Sequence, residues 1–271
     1  MAPRISVSIL MVTLLLVGSS ACFVEELKSL GFTYSGATGP QRWGSLSPYF
    51  SACNGKKQSP LDLAKDKVIR SRNFKPLTRN YLALNATLYN NGFNIGVHFD
   101  GQIAGTLVID GKNYNLKQLH WHSPSEHRIN GVQFPAELHL VHLADDNSIA
   151  VVANLFQYGK DDIFISQIKD KLAELAEEVC RRDKDAHIPL GNIDMKEFDK
   201  RTRKYWRYVG SLSSPPCTEN VIWNILGKVR YISKAQIDAI KAPLGADYKN
   251  NSRPLQPLNG RKIELFHELS N

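Results

Sequence analysis

Between residues 81 and 157 short apolar runs alternate with turn residues. Leu82 to Tyr89, Ile95 to Phe99, Gly105 to Ile109, Leu116 to His122, Ala136 to Leu143 and Ile149 to Phe156 are each of strand length, punctuated by Asn90-Asn91-Gly92 and Asp110-Gly111. Asp-Gly between two such runs is a tight-turn signal, because both residues tolerate positive φ. This pattern predicts a β-rich meander with mostly antiparallel neighbours. The period then changes. Phe164, Ile168, Leu172, Leu175 and Val179 fall three or four apart, which predicts an amphipathic helix over 163–179 laid on the sheet. A second helix is expected over Lys234 to Ile240 with Ser233 as N-cap, and strand returns at Val221 to Ile225 and Lys262 to Phe266. No repeat and no Pro/Gly/Ser-rich linker interrupts the chain, so the expectation is a single α+β domain dominated by its sheet.

The first 21 residues read differently. Arg4 precedes an apolar stretch from Ile9 to Val17, and Gly18-Ser19-Ser20-Ala21 follows. The stretch is too short to span a bilayer and ends in small residues suited to cleavage, so residues 1–21 are expected to be a signal peptide that is removed, leaving no membrane segment. Secretion, a cell-wall location and passage through the secretory route to a plastid would all begin with such a leader. Cys22 beside the cleavage zone also permits a lipoprotein anchor, although no Leu stands three residues before it.

Of the remaining cysteines, Cys180 falls within the predicted helix, whereas Cys53 and Cys217 lie in turn-rich segments. In an oxidising compartment Cys53 is expected to pair with Cys217. Two glycosylation sequons, at Asn85 and Asn250, agree with secretion. Composition is that of an ordinary folded domain of 271 residues, with 42% hydrophobic and 22% charged residues. The formal charge of +8 invites a nucleic-acid reading, and Lys200, Arg201, Arg203, Lys204 and Arg207 form one dense cluster with Tyr205 and Trp206 interleaved. No nucleic-acid-binding motif accompanies it, so the cluster is expected to be a solvated face beside a strand.

The chemistry concentrates in Gln118-Leu119-His120-Trp121-His122. On a strand, His120 and His122 project from one face and both rings can reach one metal ion. A third ligand must come from elsewhere, and Glu137-Leu138-His139-Leu140-Val141-His142 is a strand-like run that could bring His139 alongside. Three neutral imidazoles around zinc leave one tetrahedral position for water, the arrangement of a catalytic site. A His-x-His alone is more often two ordinary strand histidines. His98, His127, His187 and His267 are read in that ordinary way, and alternation turns His142 to the face opposite His139, for packing or a core hydrogen bond.

Four runs together make a more specific case: Gln118 to His122, Ser125-Glu126-His127, Ala136 to His142, and Gly210-Ser211-Leu212-Ser213-Ser214-Pro215-Pro216-Cys217-Thr218-Glu219. They resemble the α-class carbonic anhydrases, and the resemblance runs from Trp43 through Gln58-Ser59-Pro60 to Arg253-Pro254-Leu255-Gln256-Pro257. The cysteine after the Pro-Pro pair is similar to the secreted plant members, including nectar proteins and the tuber storage proteins called dioscorins.

The resemblance implies a central, twisted, mainly antiparallel sheet of about ten strands with peripheral helices, and Zn²⁺ held by His120, His122 and His139 at the base of a cone. It implies reversible hydration of CO2 to bicarbonate and a proton by zinc-bound hydroxide, chemistry for which carbonic anhydrase is itself the type example. Gln118 and Glu137 match partners that accept hydrogen bonds from the ligand imidazoles. Ser59-Pro60 and Pro215-Pro216 match cis bonds. Ser213 matches a hydroxyl residue, usually threonine, that positions the nucleophile and donates to a buried carboxylate, here Glu126. Val141, Val151, Leu212, Val221 and Trp223 match the apolar wall that receives CO2. Phe93 stands where the family commonly has a histidine that relays the product proton, and phenylalanine cannot carry one. The expected protein is therefore a zinc enzyme limited by proton transfer, a monomer or homodimer whose partner is its small substrate. The alternative is a storage or defence protein on the same fold with weak or no hydratase activity.

Overall fold

A computed structural model describes residues 31–180 and 186–268. The expected signal peptide 1–21 and Cys22 lie outside the described residues. Among those described, the strands in chain order are β1 (Val68–Arg70), β2 (Thr78–Tyr81), β3 (Leu84–Asn90), β4 (Ile95–His98), β5 (Gly105–Ile109), β6 (Lys112–His122), β7 (Arg128–Ile129), β8 (Val132–Gln133), β9 (Ala136–Leu143), β10 (Ile149–Tyr158), β11 (His187–Ile193), β12 (Lys204–Ser211), β13 (Glu219–Leu226), β14 (Arg230–Ile232) and β15 (Ile263–His267). Ten follow one path, β1-β15-β12-β13-β10-β9-β6-β4-β3-β11, and β14, β5 and β2 attach at its sides to complete a 13-stranded sheet. Pairings are antiparallel except β1 with β15 and β10 with β13 and β14. This is the single, sheet-dominated α+β domain that the sequence predicts.

The sheet has a core on each face. Along β9, Ala136, Leu138 and Leu140 enter one apolar cluster, whereas Val141 and Leu143 enter the other. The two longer helices pack on the first face. After α1, a single turn over Trp43–Leu46, the long helix α2 (Ile163–Cys180) buries Phe164, Ile165, Ile168, Leu172 and Leu175 against it. Its first turn is capped by Asp162, whose Oδ1 accepts from the N–H groups of Phe164 and Ile165. α3 (Lys234–Lys241) begins at Ser233 with a reciprocal capping box to Gln236, one residue longer than the pattern indicates. At the β5–β6 hairpin Asp110 and Gly111 have φ of 51° and 82°, the left-handed pair that a tight turn of this hand requires.

Strand β6 contains the feature that places the chemistry. Its register against β9 shifts between Leu116 and Gln118, so Lys117 is an extra residue. Tyr114 and Leu116 point into the helix-side core, and after the bulge Leu119 and Trp121 take over that face. Gln118, His120 and His122 are thereby turned to the opposite side. Strict alternation from Leu116 would have buried His120 in the apolar core.

Two readings need correction or extension. The basic cluster is not wholly a solvated face beside a strand: Lys204 onward is β12 itself, and Tyr205, Trp206 and Arg207 are buried. Arg207 Nε donates to Asn224 Oδ1 at 2.7 Å, with its guanidinium over the Phe74 ring. Strands β1, β2, β11 and β14 carry no clear alternation in the sequence, being short or edge elements, and β12, an interior strand, buries residues on both faces along Tyr205–Tyr208.

Cys53 and Cys217 form a disulfide across a separation of 164 residues. It ties the 3₁₀ segment Pro48–Asn54 to the loop that follows β12. Replacing both cysteines by serine is expected to lower unfolding free energy by about 2 to 5 kcal/mol, as closure of so long a loop restricts the unfolded chain; denaturant unfolding under oxidising conditions measures it. His142 supplies a second test. It is fully buried on the helix side, 2.9 Å from the Tyr81 hydroxyl, and burial holds its pKa down at about 3. The unfolded chain takes up this proton near the ordinary value of about 6.5, so the folded state loses stability as pH falls between the two. Between pH 7 and pH 5 the wild type should lose about 2 kcal/mol more than His142→Gln in urea unfolding, and parallel losses in both proteins would refute the assignment.

Candidate metal centre

β6 and β9 pair so that His120 stands directly across from His139, and His122 across from Glu137. The three imidazole rings lie within 4.7 to 5.2 Å of one another, centroid to centroid. Each ring is fixed by one hydrogen bond. His120 Nδ1–H donates to Gln118 Oε1 at 2.8 Å, His122 Nδ1–H to the Asn251 carbonyl at 2.6 Å, and His139 Nε2–H to Glu137 Oε1 at 2.8 Å. All three partners are oxygen acceptors that cannot donate in return, so the tautomers follow. His120 and His122 keep a lone pair at Nε2, and His139 keeps one at Nδ1.

One ligand nitrogen from each of these histidines lies within 4.8 Å of the others. His122 Nε2 is buried with no hydrogen-bond partner at all. An orphaned lone pair in a buried site is costly unless something electropositive meets it. Burial, with repulsion between the rings, also depresses the pKa values of His120 and His122, which keeps both rings neutral as metal ligation requires. Three neutral nitrogens at this spacing suit a tetrahedral Zn²⁺ with a fourth position left for a small ligand.

Glu137 is the centre of the supporting shell. Its Oε1 accepts from His139 and from His127 Nδ1 at 2.6 Å, and its Oε2 accepts from the backbone N–H groups of Glu126 and His127 at 2.9 and 2.8 Å. Burial opposes ionisation of this carboxyl, but its two imidazole partners outweigh that cost and hold it well below the usual range. His127, Glu137 and His139 also approach within metal-binding distance. Their own hydrogen bonds account for that proximity.

Ser213 and Glu126 are both buried. Glu126 Oε1 accepts from the Arg253 N–H at 2.9 Å, while its Oε2 is buried without a partner. Val141, Val151, Val221 and Trp223 fall in the site-side core with Leu212 packed against it, and the Trp223 ring lies 4.8 Å from that of His139. Phe93 is elsewhere: it sits in a separate aromatic cluster, 5.1 Å from Phe32. Asn85 and Asn250 are exposed.

Sequence reasoning passes over three contributors. His127 reads as an ordinary strand histidine, yet it is buried between Glu137 and the Tyr208 hydroxyl, 2.7 Å from its Nε2. Its adjacency to Glu126 is the only signal. Asn251 orients His122 through its backbone carbonyl, which leaves no trace in side-chain patterns. Its side chain bonds Ser123, Phe93 and Trp121 backbone groups, locking that carbonyl in place. Arg253 is buried and bonds the Gln58 side chain and the carbonyls of Ser59 and Cys53.

Comparison with known proteins agrees with this geometry. The family model described as eukaryotic-type carbonic anhydrase matches residues 38–267. Alpha carbonic anhydrase 7 of Arabidopsis thaliana is 39% identical over 247 residues, covering 91% of this chain and 88% of the relative. Dioscorin dioA3 of Dioscorea japonica is 35% identical over 262 residues, 96% of this chain and 94% of the relative. Among solved structures, dioscorin complexed with ascorbate superposes with a TM-score of 0.84 at 37% identity, covering 89% of this chain and 99% of that one. An α-carbonic anhydrase from Thermovibrio ammonificans in complex with sulfanilamide gives a TM-score of 0.74 at 34% identity over 86% of this chain and 98% of that one.

Neutralising the carboxylate that fixes His139, and replacing its second acceptor oxygen with an amide NH2, should loosen the centre without dismantling it. Glu137→Gln is expected to weaken zinc affinity by about 10- to 100-fold in chelator competition, with far-UV circular dichroism unchanged. An affinity equal to wild type would dissociate Glu137 from the metal site.

Proposed function

The chain belongs to the eukaryotic-type carbonic anhydrase family, and from that premise we propose that it interconverts CO2 and water with bicarbonate and a proton, using Zn²⁺ held by His120, His122 and His139. The observation that carries the reading is the convergence of three lone pairs, one of them on a buried nitrogen with no other partner. When bound by three imidazoles, zinc lowers the pKa of water to near neutrality and so supplies a strong oxygen nucleophile at physiological pH, as known for this family.

The chain's own residues do the rest. Gln118, Asn251 and Glu137 hold the imidazoles in the tautomers and orientations that ligation needs. Glu126 Oε2 is an open buried acceptor; a Ser213 hydroxyl donating to it would leave Ser213 Oγ to accept a hydrogen bond from the O–H of the attacking oxygen and aim its lone pair, a positioning effect. Serine in place of the usual threonine keeps this hydroxyl and loses a methyl that restricts its rotamers. Val141, Val151, Leu212, Val221 and Trp223 offer CO2 a surface without hydrogen-bonding groups, apart from the Trp223 Nε1–H, which is spent on the Ser211 carbonyl. Phe93 cannot relay the product proton, so proton exchange with buffer limits turnover. The leader, the disulfide and the exposed Asn85 and Asn250 support entry into the secretory pathway.

The kinship with dioscorins favours a second reading, a storage or defence protein retaining the fold with little catalysis. Zinc content by elemental analysis together with CO2 hydration separates the two. The enzyme reading expects one zinc per chain, active wild type, and loss of both zinc and hydration in His139→Ala. Zinc without measurable hydration would leave the storage reading. In the active enzyme kcat should rise steeply with buffer concentration while kcat/KM stays constant, with a deficit in dilute buffer of about 10²-fold or less against a shuttle-bearing enzyme; a kcat independent of buffer would remove Phe93 from the explanation.

A further inference from the structure

The sheet face opposite the imidazoles carries a cleft of about 660 Å³, built from segments 160–163, 197–204 and 226–231 with Arg79 and Asn154. Asn154 pairs with Leu138 across β9 and β10, and alternation places it on the helix side, away from Ala153 and His139. The size suits a small molecule. Eight cationic side chains line the cleft against three carboxylates. Two of those carboxylates are already committed: Asp162 to Arg230 and the first turn of α2, and Glu197 to Lys200.

Arg201 pairs with Glu268, and Asp161 is the third carboxylate, but most of the remaining positive charge has no ion partner. Among the described residues Lys160, Arg203 and Lys228 make no ion pair, and the Lys204 ammonium only overlies the Trp206 ring. Two donors in the same lining have no acceptor, Asn154 Nδ2 and Arg79 Nε, and both atoms are buried. Arg79 is held from its other side, donating to the Lys200 carbonyl and to Thr202 Oγ1 at 2.6 and 2.7 Å. A rigid guanidinium, an orphaned amide and several unpaired ammonium groups around one cavity are complementary to acceptor oxygens carrying dense negative charge.

We infer that this cleft binds a small oxyanion with at least two phosphate or sulfate groups, at a site separated by the sheet from the zinc centre. A long polyanion would meet only the exposed lysines, whereas a compact anion entering the cleft sits over the floor where Asn154 and Arg79 hold their unpartnered donors and draws them towards it by small side-chain shifts. Bicarbonate, with one charge, neutralises little of this field, and its own site lies on the other face.

Fructose 1,6-bisphosphate titrated into the zinc-loaded protein at about 0.15 M salt tests the assignment by calorimetry. The expected result is one-to-one binding with Kd below about 1 mM, weakened at least about tenfold by Lys160→Glu/Lys228→Glu. A control reversal of equal charge at exposed positions outside the cleft, Lys65→Glu/Lys67→Glu, should change Kd less than about twofold. CO2 hydration should be unaltered in both double variants, which also reports their folding. Asn154→Asp, which places a carboxylate in the cleft, should abolish binding. Absence of saturable binding, equal weakening by both double reversals, or tighter binding of a single-stranded oligonucleotide with the same lysine dependence would each overturn the inference.

Discussion

The extra residue at Lys117 governs the relation between fold and chemistry. A strand offers alternate residues to opposite faces, and in β6 both faces are claimed, one by an apolar core and the other by the imidazole cluster. The bulge lets a single strand serve the first core with Tyr114, Leu116, Leu119 and Trp121 without interrupting it. The same slip delivers Gln118, His120 and His122 together to the other side. Pairing with β9 then needs no further adjustment to bring the imidazoles together, because His139 already stands opposite His120 and Glu137 opposite His122. Strand register, imposed by burial of Leu138 and Leu140 of β9, is thus also the registration of the three histidines proposed as metal ligands.

Behind the ligands lies a polar network with few free ends. Glu137 joins His139 to His127, and the Tyr208 hydroxyl stands between His127 and Ser59 Oγ at 2.7 and 2.8 Å. Ser59 Oγ accepts from the Ser211 N–H, while the Ser59 carbonyl accepts from Arg253, whose guanidinium also reaches the Cys53 carbonyl. A buried network of this kind is stabilising only when its members are satisfied, since a broken link leaves a desolvated group unpaired. The two open atoms nearest the centre, His122 Nε2 and Glu126 Oε2, are accordingly informative: one points to a metal and the other to a hydroxyl donor. Arg253 Nε is a third open atom of this network, but it is a donor, whereas these two are acceptors facing the imidazole cluster and its hydroxyl neighbour.

Legibility in the sequence followed the range of the interactions. Apolar runs in β3 to β6, β9 and β10, the helical period of α2 and the Asp110-Gly111 turn are local features, and each appears where its pattern indicates. The histidine spacing is local as well. By contrast, Asn251 acts through a backbone carbonyl 129 residues from His122, and Arg253 through contacts with Cys53, Gln58 and Ser59. Nothing in a one-dimensional pattern marks such partners. The bulge was hidden for a different reason: Leu116 to His122 still reads as a strand of sufficient length, and a one-residue slip changes parity without changing composition. Edge strands such as β1 and β14 gave no signal because they bury too little to impose an alternation.

The position of Phe93 links the proton transfer proposed above to the aromatic cluster beneath the Ser213 loop. Its ring belongs to a cluster with Phe32, Trp43, Phe50 and the Cys53–Cys217 disulfide. That cluster supports the loop carrying Ser213, because Cys217 is its anchor and the Leu212 N–H is bonded to the Thr218 carbonyl at 2.9 Å. A histidine at 93 would have either to be desolvated among these rings, which suppresses its charged form, or to turn outward and leave a void against Phe32. A relay group needs the first alternative avoided, and a close-packed cluster needs the second avoided. One side chain cannot satisfy both with the surrounding aromatics in place, so on the proposed function the seating of the loop that carries Ser213 and the lack of an imidazole at position 93 follow from the same packing.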